Sequence, residues 1–338
     1  TMKKLLIATT AIIATAGMAA ADVKVGGNGR MGVVYDGNDL QFSSRIRIAF
    51  TASGETDGGL AFGGSIRADN SSGGAAGNDG SVYISGAFGK LEMGDTPGAA
   101  EVVIGNLPEV GYSDPGSNKP AVSNLGSFNV GANDTAFLTG DEDGLSTTAS
   151  GNPVVLYQYS TGAFLFAASF NDGTQAAFSG PKSAFGADLQ EYSVGVKYTF
   201  GDYTASLGYE VADPTSAAPL PDTLRHLIVG GSAKFADTTV NAYYGDGSGG
   251  LNGYTHYGLG VSSKFDAITV KGYVKRQEWD AASPSQILNG VPGLTGVTSY
   301  GLGADYALGG GATVSGGIVD NNLPGSDLKA DLGIKFTF

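Results

Sequence analysis

Leu328-Lys329-Ala330-Asp331-Leu332-Gly333-Ile334-Lys335-Phe336-Thr337-Phe338 changes character at every step. Leu328, Ala330, Leu332, Ile334, Phe336 and Phe338 fall on one face, and every charge falls on the other, with Lys329, Asp331 and Lys335. A period of two is that of a strand with one dry and one wet face. The pattern recurs upstream. Tyr257, Leu259, Val261 and Phe265 oppose Gly258, Gly260, Ser262 and Lys264. Tyr192, Val194, Val196, Tyr198 and Phe200 oppose Ser193, Gly195, Lys197 and Thr199. Tyr300, Leu302, Ala304, Tyr306 and Leu308 oppose Ser299, Gly301, Gly303 and Asp305. A soluble sandwich also alternates, but its outward face is rich in Lys and Glu. Here the polar face is largely Gly, Ser and Thr.

Working outward, alternating runs occur near 23–34, 41–54, 58–69, 80–88, 90–95, 154–160, 163–171, 191–200, 203–212, 225–235, 238–246, 255–265, 268–278, 297–308, 312–319 and 328–338. That makes sixteen strands, an even number, as a closed single-chain barrel requires. Phe88-Gly89-Lys90, Phe200-Gly201-Asp202-Tyr203, Phe235-Ala236-Asp237 and Phe265-Asp266-Ala267 read as tight hairpin turns flanked by aromatics. The alternate connections, about 70–79, 171–190, 212–223, 246–255, 280–296 and 320–327, are longer and rich in Gly, Asn, Asp and Pro. Short turns at one end and long loops at the other is the asymmetry of an outer-membrane barrel, and a ring of aromatics beside the short turns is its interfacial girdle.

Composition agrees. Glycine supplies 56 of 338 residues, aromatics 10%, charged residues 15%, and there is no cysteine. A soluble domain carries about 25% charge, whereas a lipid-facing apolar band averaged with a polar lumen gives neutral hydropathy. Lys3 and Lys4, the apolar run Leu5–Ala16 and the small residues Ala19-Ala20-Ala21 form a secretory signal, residues 1–21, so that Asp22 opens a barrel over 22–338. Removing those two lysines leaves 17 basic residues against 32 acidic, a net charge of −15. That balance argues against nucleic acid as a partner. No run after residue 21 reaches the roughly 18 apolar residues of a spanning helix.

These features together resemble the general diffusion porins of the Gram-negative outer membrane. The resemblance rests on the signal, the sixteen runs, one long connection after the fifth run (about 96–153) and the terminal Phe338. The opening Asp22-Val23-Lys24-Val25-Gly26-Gly27-Asn28-Gly29-Arg30-Met31-Gly32 and the closing Leu332-Gly333-Ile334-Lys335-Phe336-Thr337-Phe338 are most similar to the porins of purple alphaproteobacteria. The resemblance covers 22–338. It implies an all-β, 16-stranded antiparallel transmembrane barrel, multi-pass in outer-membrane lipid, with the long loop folded into the lumen. It implies a homotrimer, a water-filled channel for passive diffusion of small hydrophilic solutes and ions, and no enzymatic activity. It implies loop acids facing wall bases, calcium as a structural ion in some members, and an assembly machinery that reads Ile334, Phe336 and Phe338.

Strand phasing supplies the candidate site directly. Lys24, Asn28 and Arg30 share a face opposite Val23, Val25, Met31 and Val33; Arg45 and Arg47 oppose Ile46, Ile48 and Phe50; Arg67 and Asp69 oppose Phe62 and Ile66. A charge on the lipid face costs about 2–4 kcal/mol at the midplane, so Arg30, Arg45, Arg47 and Arg67 point into the lumen as a basic patch. The long loop offers partners in Glu101, Glu109 and Asp114, with Asp95 just before it, and these acids equally well face external solvent. Charge set across a narrow pore orients polar solutes. Asp134, Asp141, Glu142 and Asp143 are candidate ligands for a hard cation such as Ca2+. Their spacing matches no EF-hand loop, and a solvated acidic loop tip accounts for them more simply.

Three other motifs carry less. Gly27-Asn28-Gly29-Arg30-Met31-Gly32 spells a nucleotide-binding pattern, but it alternates as a strand and no helix pattern follows. His226 and His256, the only histidines, show no nucleophile or acid motif nearby in sequence. Trp279, beside Glu278 and Asp280, reads as a girdle residue. The alternatives to a general channel are a solute-selective porin, a secreted soluble β-rich binding protein, and an outer-membrane hydrolase that would need His226 or His256.

Overall fold

The computed structural model describes residues 22–69, 79–94, 96–113, 154–171, 189–214, 223–249, 253–280, 295–320, 322 and 328–338. The expected signal at 1–21 lies outside them. Sixteen strands follow in order: β1 (Asp22–Tyr35), β2 (Leu40–Glu55), β3 (Ala61–Asp69), β4 (Asp79–Gly86), β5 (Gly89–Gly94), β6 (Val154–Thr161), β7 (Phe164–Asn171), β8 (Leu189–Phe200), β9 (Tyr203–Pro214), β10 (Leu224–Phe235), β11 (Thr238–Ser248), β12 (Tyr254–Phe265), β13 (Ile268–Trp279), β14 (Gly296–Gly309), β15 (Ala312–Asp320) and β16 (Lys329–Thr337). Each pairs antiparallel with its sequence neighbours, and β1 pairs with β16 to close the barrel. Among the described residues one helix, α1 (Ala99–Ile104), sits in the connection between β5 and β6.

Closure leaves no free edge, so every strand can satisfy its backbone groups within the wall. The alternation sorts the side chains. Tyr192, Val194, Tyr198 and Phe200 are exposed on the outside, whereas Ser193 between them is buried inside. Among the described residues no helix is long and apolar enough to cross a membrane; barrels cross with strands instead.

The seam depends on the glycines of the false nucleotide motif. Gly27 donates to the Phe338 carbonyl at 2.8 Å, and Phe338 donates back to Gly27 at 3.0 Å. A Cβ on Gly29 would collide with the Phe336 ring, and one on Gly27 would press into the Phe338 ring. Bare backbone on β1 therefore seats the two terminal aromatics on the outer surface, an aromatic-over-glycine device that pins register. Beside the short turns a chain of rings runs Phe166, Phe164, Tyr198, Phe200, Tyr203 and Phe235, with successive centroids 4.6–6.1 Å apart. The tight turns are as expected: Ala236 and Asp266 take positive φ of 50° and 55°. At the opposite end, Asp36 accepts from the Asn38 and Asp39 amides, both at 2.9 Å. Those amides hold its carboxyl below the usual carboxylate range.

Candidate pore constriction

The apolar interior of the described structure lies between the segment 96–113 and the inner wall. Ala99, Ala100, Val103, Leu107, Val110 and Tyr112 are all at most 3% exposed. Two clusters form there. Ala99 and Val103 meet Leu156 and Ala167; Ala100, Leu107 and Val110 meet Ile228, Tyr243, Tyr273 and Val319. Burying a residue such as Val103 or Leu107 contributes about 1.5–3 kcal/mol.

The sequence expectation left 96–153 without regular structure; its first part holds α1. Gly98 precedes the helix in an extended conformation and has no side chain to cap it. The wall does so instead. The Ala99 amide donates to Ser169 Oγ on β7 and the Ala100 amide to Ser193 Oγ on β8, each at 2.9 Å. These satisfy amides that a helix start leaves open. At the other end Lys197 Nζ on β8 donates to the Val102 carbonyl at 3.1 Å, placing a cation where the helix dipole favours one.

From α1 onward the segment tracks round the wall over glycine. A Cβ on Gly195 (β8), Gly208 (β9) or Gly230 (β10) would meet Val103, Ala100 or Ile104. Farther on, a Cβ on Gly260 (β12) would meet Pro108, and one on Gly303 (β14) or Gly317 (β15) would meet Val110. A Cβ on Gly333 (β16) would meet the Tyr112 ring. A latch follows there. Asp331 on β16 accepts from the Ser113 amide and hydroxyl, each at 2.7 Å. Gly111, at φ 83°, lies so close to that carboxylate that no Cβ would fit. Lys335 Nζ donates to Glu109 Oε1 at 3.1 Å and to the Gly111 carbonyl at 3.3 Å.

The strand register puts the four wall arginines on the same face as Lys335. Arg30 on β1 sits opposite Arg45 on β2 and opposite Lys335 on β16, so three cations stand in one row across three strands. Arg47 is opposite Asn28, and Arg67 on β3 is opposite Ala49. Like charges in register repel. Glu109, the Tyr112 carbonyl, 3.4 Å from Arg30 Nη1, and the Asn28 carboxamide oxygen, 3.4 Å from Arg45 Nη2, partly offset this.

Of the four expected acids, two are described. Glu109 is joined to Lys335 and not to an arginine. Glu101 lies on α1, on the side of the wall that carries Glu210. Asp95 and Asp114 lie outside the described residues, as do Asp134, Asp141, Glu142 and Asp143. Among the described residues no group of three His, Cys, Asp or Glu could hold a metal ion. Lys197, Asp331 and Lys335 went unremarked as site residues although strand phasing had already put all three on the inner face. The expectation that the histidines have no acid nearby is corrected: His226 Nδ1 lies 3.0 Å from Glu210 Oε2, and the two histidines touch. They stand on different strands, and sequence spacing does not show that closed strands bring them together.

Known proteins agree with this architecture. A profile of the Gram-negative porin family matches residues 8–324. The chain is similar to a porin of Rhodobacter capsulatus, with 45% identity over 335 residues covering 94% of this chain and all of the relative. It is similar to a porin of Fuscovulum blasticum at 25% identity, with the same coverage. A porin structure refined at 1.8 Å superposes with a TM-score of 0.73 at 42% identity, covering 94% of this chain and 100% of that one. A variant of Rh. blastica porin, at 22% identity and a TM-score of 0.65, shows the shared fold. This chain belongs to the Gram-negative porin family: it is a multi-pass β-barrel of the outer membrane that forms a porin channel.

Proposed function

We propose that this porin is a general diffusion channel whose narrow zone lies between the docked segment 96–113 and the arginine-bearing wall of β1–β3. One observation carries this reading. The segment covers inner-wall glycines from β8 to β16 and meets Arg30 at the Tyr112 carbonyl, while Arg45, Arg47 and Arg67 stand on the adjoining strands, β2 and β3. A polar solute passing there moves between a backbone-rich loop and guanidinium groups, which favours hydrated, hydrogen-bonding molecules over apolar ones. No step breaks a covalent bond, and the reading needs no cofactor. Calcium, if the acidic cluster at 134–143 takes it, serves the loop and not the conduction. The channel works as a homotrimer delivered by the outer-membrane assembly machinery through Ile334, Phe336 and Phe338. A second copy seats on the outer apolar groove of β1–β4, where Phe50, Ala52, Phe62, Ile66 and Val82 line a hollow.

Planar-bilayer recording in a salt gradient tests this. Stable conductance steps are expected, in threes for a trimer. Replacing Arg45 and Arg47 with Gln should move the reversal potential toward cation preference. An unchanged reversal potential would remove those two residues from the constriction. Absence of conductance from folded barrel would overturn the diffusion reading.

A further inference from the structure

The 338-residue chain has two histidines, and the fold brings both to one spot away from the arginine wall. His226 is on β10 and His256 on β12, with β11 between them. Both point inward and both are fully buried. Their Nε2 atoms are 2.7 Å apart. They meet over bare backbone, because a Cβ on Gly245 of β11 would collide with both Nε2 atoms. Behind His226 stands Glu210 on β9, also fully buried, with Oε2 3.0 Å from Nδ1. Tyr254 stacks on His226 with centroids 5.8 Å apart, and Tyr243 flanks His256 at 5.4 Å. The other charged groups acting on this cluster are Glu101 on α1, Asp246 on β11 and Lys275 on β13.

The hydrogen-bond logic is informative. If Glu210 is a carboxylate it accepts from Nδ1–H of His226, which leaves the Nε2 lone pair of a neutral ring aimed at His256; as a neutral acid it donates to Nδ1 instead. The Nδ1 of His256 has no hydrogen-bond partner. If the His256 proton sits there, its Nε2 lone pair is aimed at the same point and a positive centre between the two nitrogens relieves them; a proton on either Nε2 makes a ring-to-ring hydrogen bond instead. Carboxylate, imidazole, cation is the order in which a metal-ligating histidine is held by an outer carboxylate. Paired imidazoles suit zinc, copper or nickel, whereas calcium takes oxygen. Metal–nitrogen bonds of about 2.0–2.1 Å at a tetrahedral angle would part the nitrogens to about 3.3 Å, a small rotation of each ring.

We propose that His226 and His256 form a binding site for a late first-row divalent cation, Zn2+, Ni2+ or Cu2+, with water completing the coordination. Glu210 is a positioning residue that keeps His226 in its ligating tautomer. The site is independent of the constriction and of whether the channel is selective.

The test uses the mature chain in detergent without a polyhistidine tag, so that these are the only imidazoles. Calorimetric titration with ZnCl2 should show one equivalent bound per chain. Affinity should fall at least 100-fold in His226→Gln and His256→Gln, and about 10–100-fold in Glu210→Gln. Imidazole NMR of the unaltered protein guards against variants that fail to fold: both ring signals should shift together and saturate at one Zn2+. Zinc uptake that persists undiminished in the folded double variant His226→Gln/His256→Gln would overturn the proposal, by placing the metal on carboxylates. Ring signals that move with pH but not with millimolar Zn2+ would overturn it too, leaving a shared proton between the rings.

Discussion

Two stretches of the same inner wall obey the same alternation and are furnished in opposite ways. On β1–β3 the inward positions carry Arg30, Arg45, Arg47 and Arg67. From β8 to β16 the inward positions facing the segment 96–113 are glycines, with serines, a lysine and an aspartate placed to hold its backbone. Long cations suit a wall that borders water. Glycine suits a wall on which another stretch of chain must lie, because a Cβ would occupy the space of Val103, Ala100 or Val110. In a soluble domain a glycine-rich strand is a weakness. Here it is a seat, and the hydrophobic interior that most proteins build between layers is built between a loop and a wall.

The comparison breaks most sharply at the latch. Asp331→Ala removes both bonds to Ser113, each to a charged acceptor and worth about 1.5–3 kcal/mol. The segment should loosen while the barrel persists, seen as protease cleavage within 96–113 and as noisy conductance. Cleavage no faster than in the unaltered protein would mean that the glycine seat alone holds the segment.

The seat itself comes next. Gly208→Leu drives a side chain into Ala100 and Ile228, and overpacking of this kind costs about 1–3 kcal/mol. Displacement of α1 should raise single-channel conductance. The matched change on the other wall is Ala49→Leu, inward on β2 opposite Arg67. It should leave stability nearly unchanged and lower conductance slightly. Similar behaviour of the two substitutions would abolish the distinction between the walls.

How far this was legible in the sequence depends on what decides each feature. Strand number and phase follow from period-two alternation, a local property, and the sixteen-stranded barrel matches them; the same alternation assigns Arg30, Arg45, Arg47 and Arg67 to one face. Phase also held the inward Lys197, Asp331 and Lys335, whose loop partners could not be read because contacts such as Ser113 with Asp331, 218 residues apart, depend on closure. The glycines were visible only as composition. Their meaning as a seat requires knowing which stretch lies against them. The helix α1 escaped because six residues are too short to set up a periodicity, and its start is capped by Ser169 and Ser193 on the wall and not by a neighbour in sequence. The histidine pair is the extreme case: one residue per strand, with a strand between, carries no local signal.

A smaller effect is expected where the latch gains its charge. Lys335→Met leaves Glu109 without its cation. Both groups are partly exposed, so the pair is worth at most about 1 kcal/mol. The reversal potential should nevertheless shift toward cation preference, because one positive charge leaves the row it shares with Arg30 and Arg45. An unshifted potential would place that row outside the path of the ions.

Arg30 stands where the two walls meet, and its replacement should have the smallest effect while saying most about the border. It lies in the cationic row of β16, β1 and β2, and its Nη1 reaches the Tyr112 carbonyl at 3.4 Å, a long bond of modest strength. Arg30→Lys keeps the charge and loses the planar fork. If Arg30 serves the open wall, conductance and reversal potential stay as they were, because the field across the pore is unchanged. If it serves the docked wall, the same substitution leaves the reversal potential alone but raises current noise, as the end of the segment loses a donor that a shorter ammonium does not replace. The stability cost should stay below about 1 kcal/mol either way. Noise without a shift in potential would move the boundary one strand, and give β1 to the wall that holds the loop.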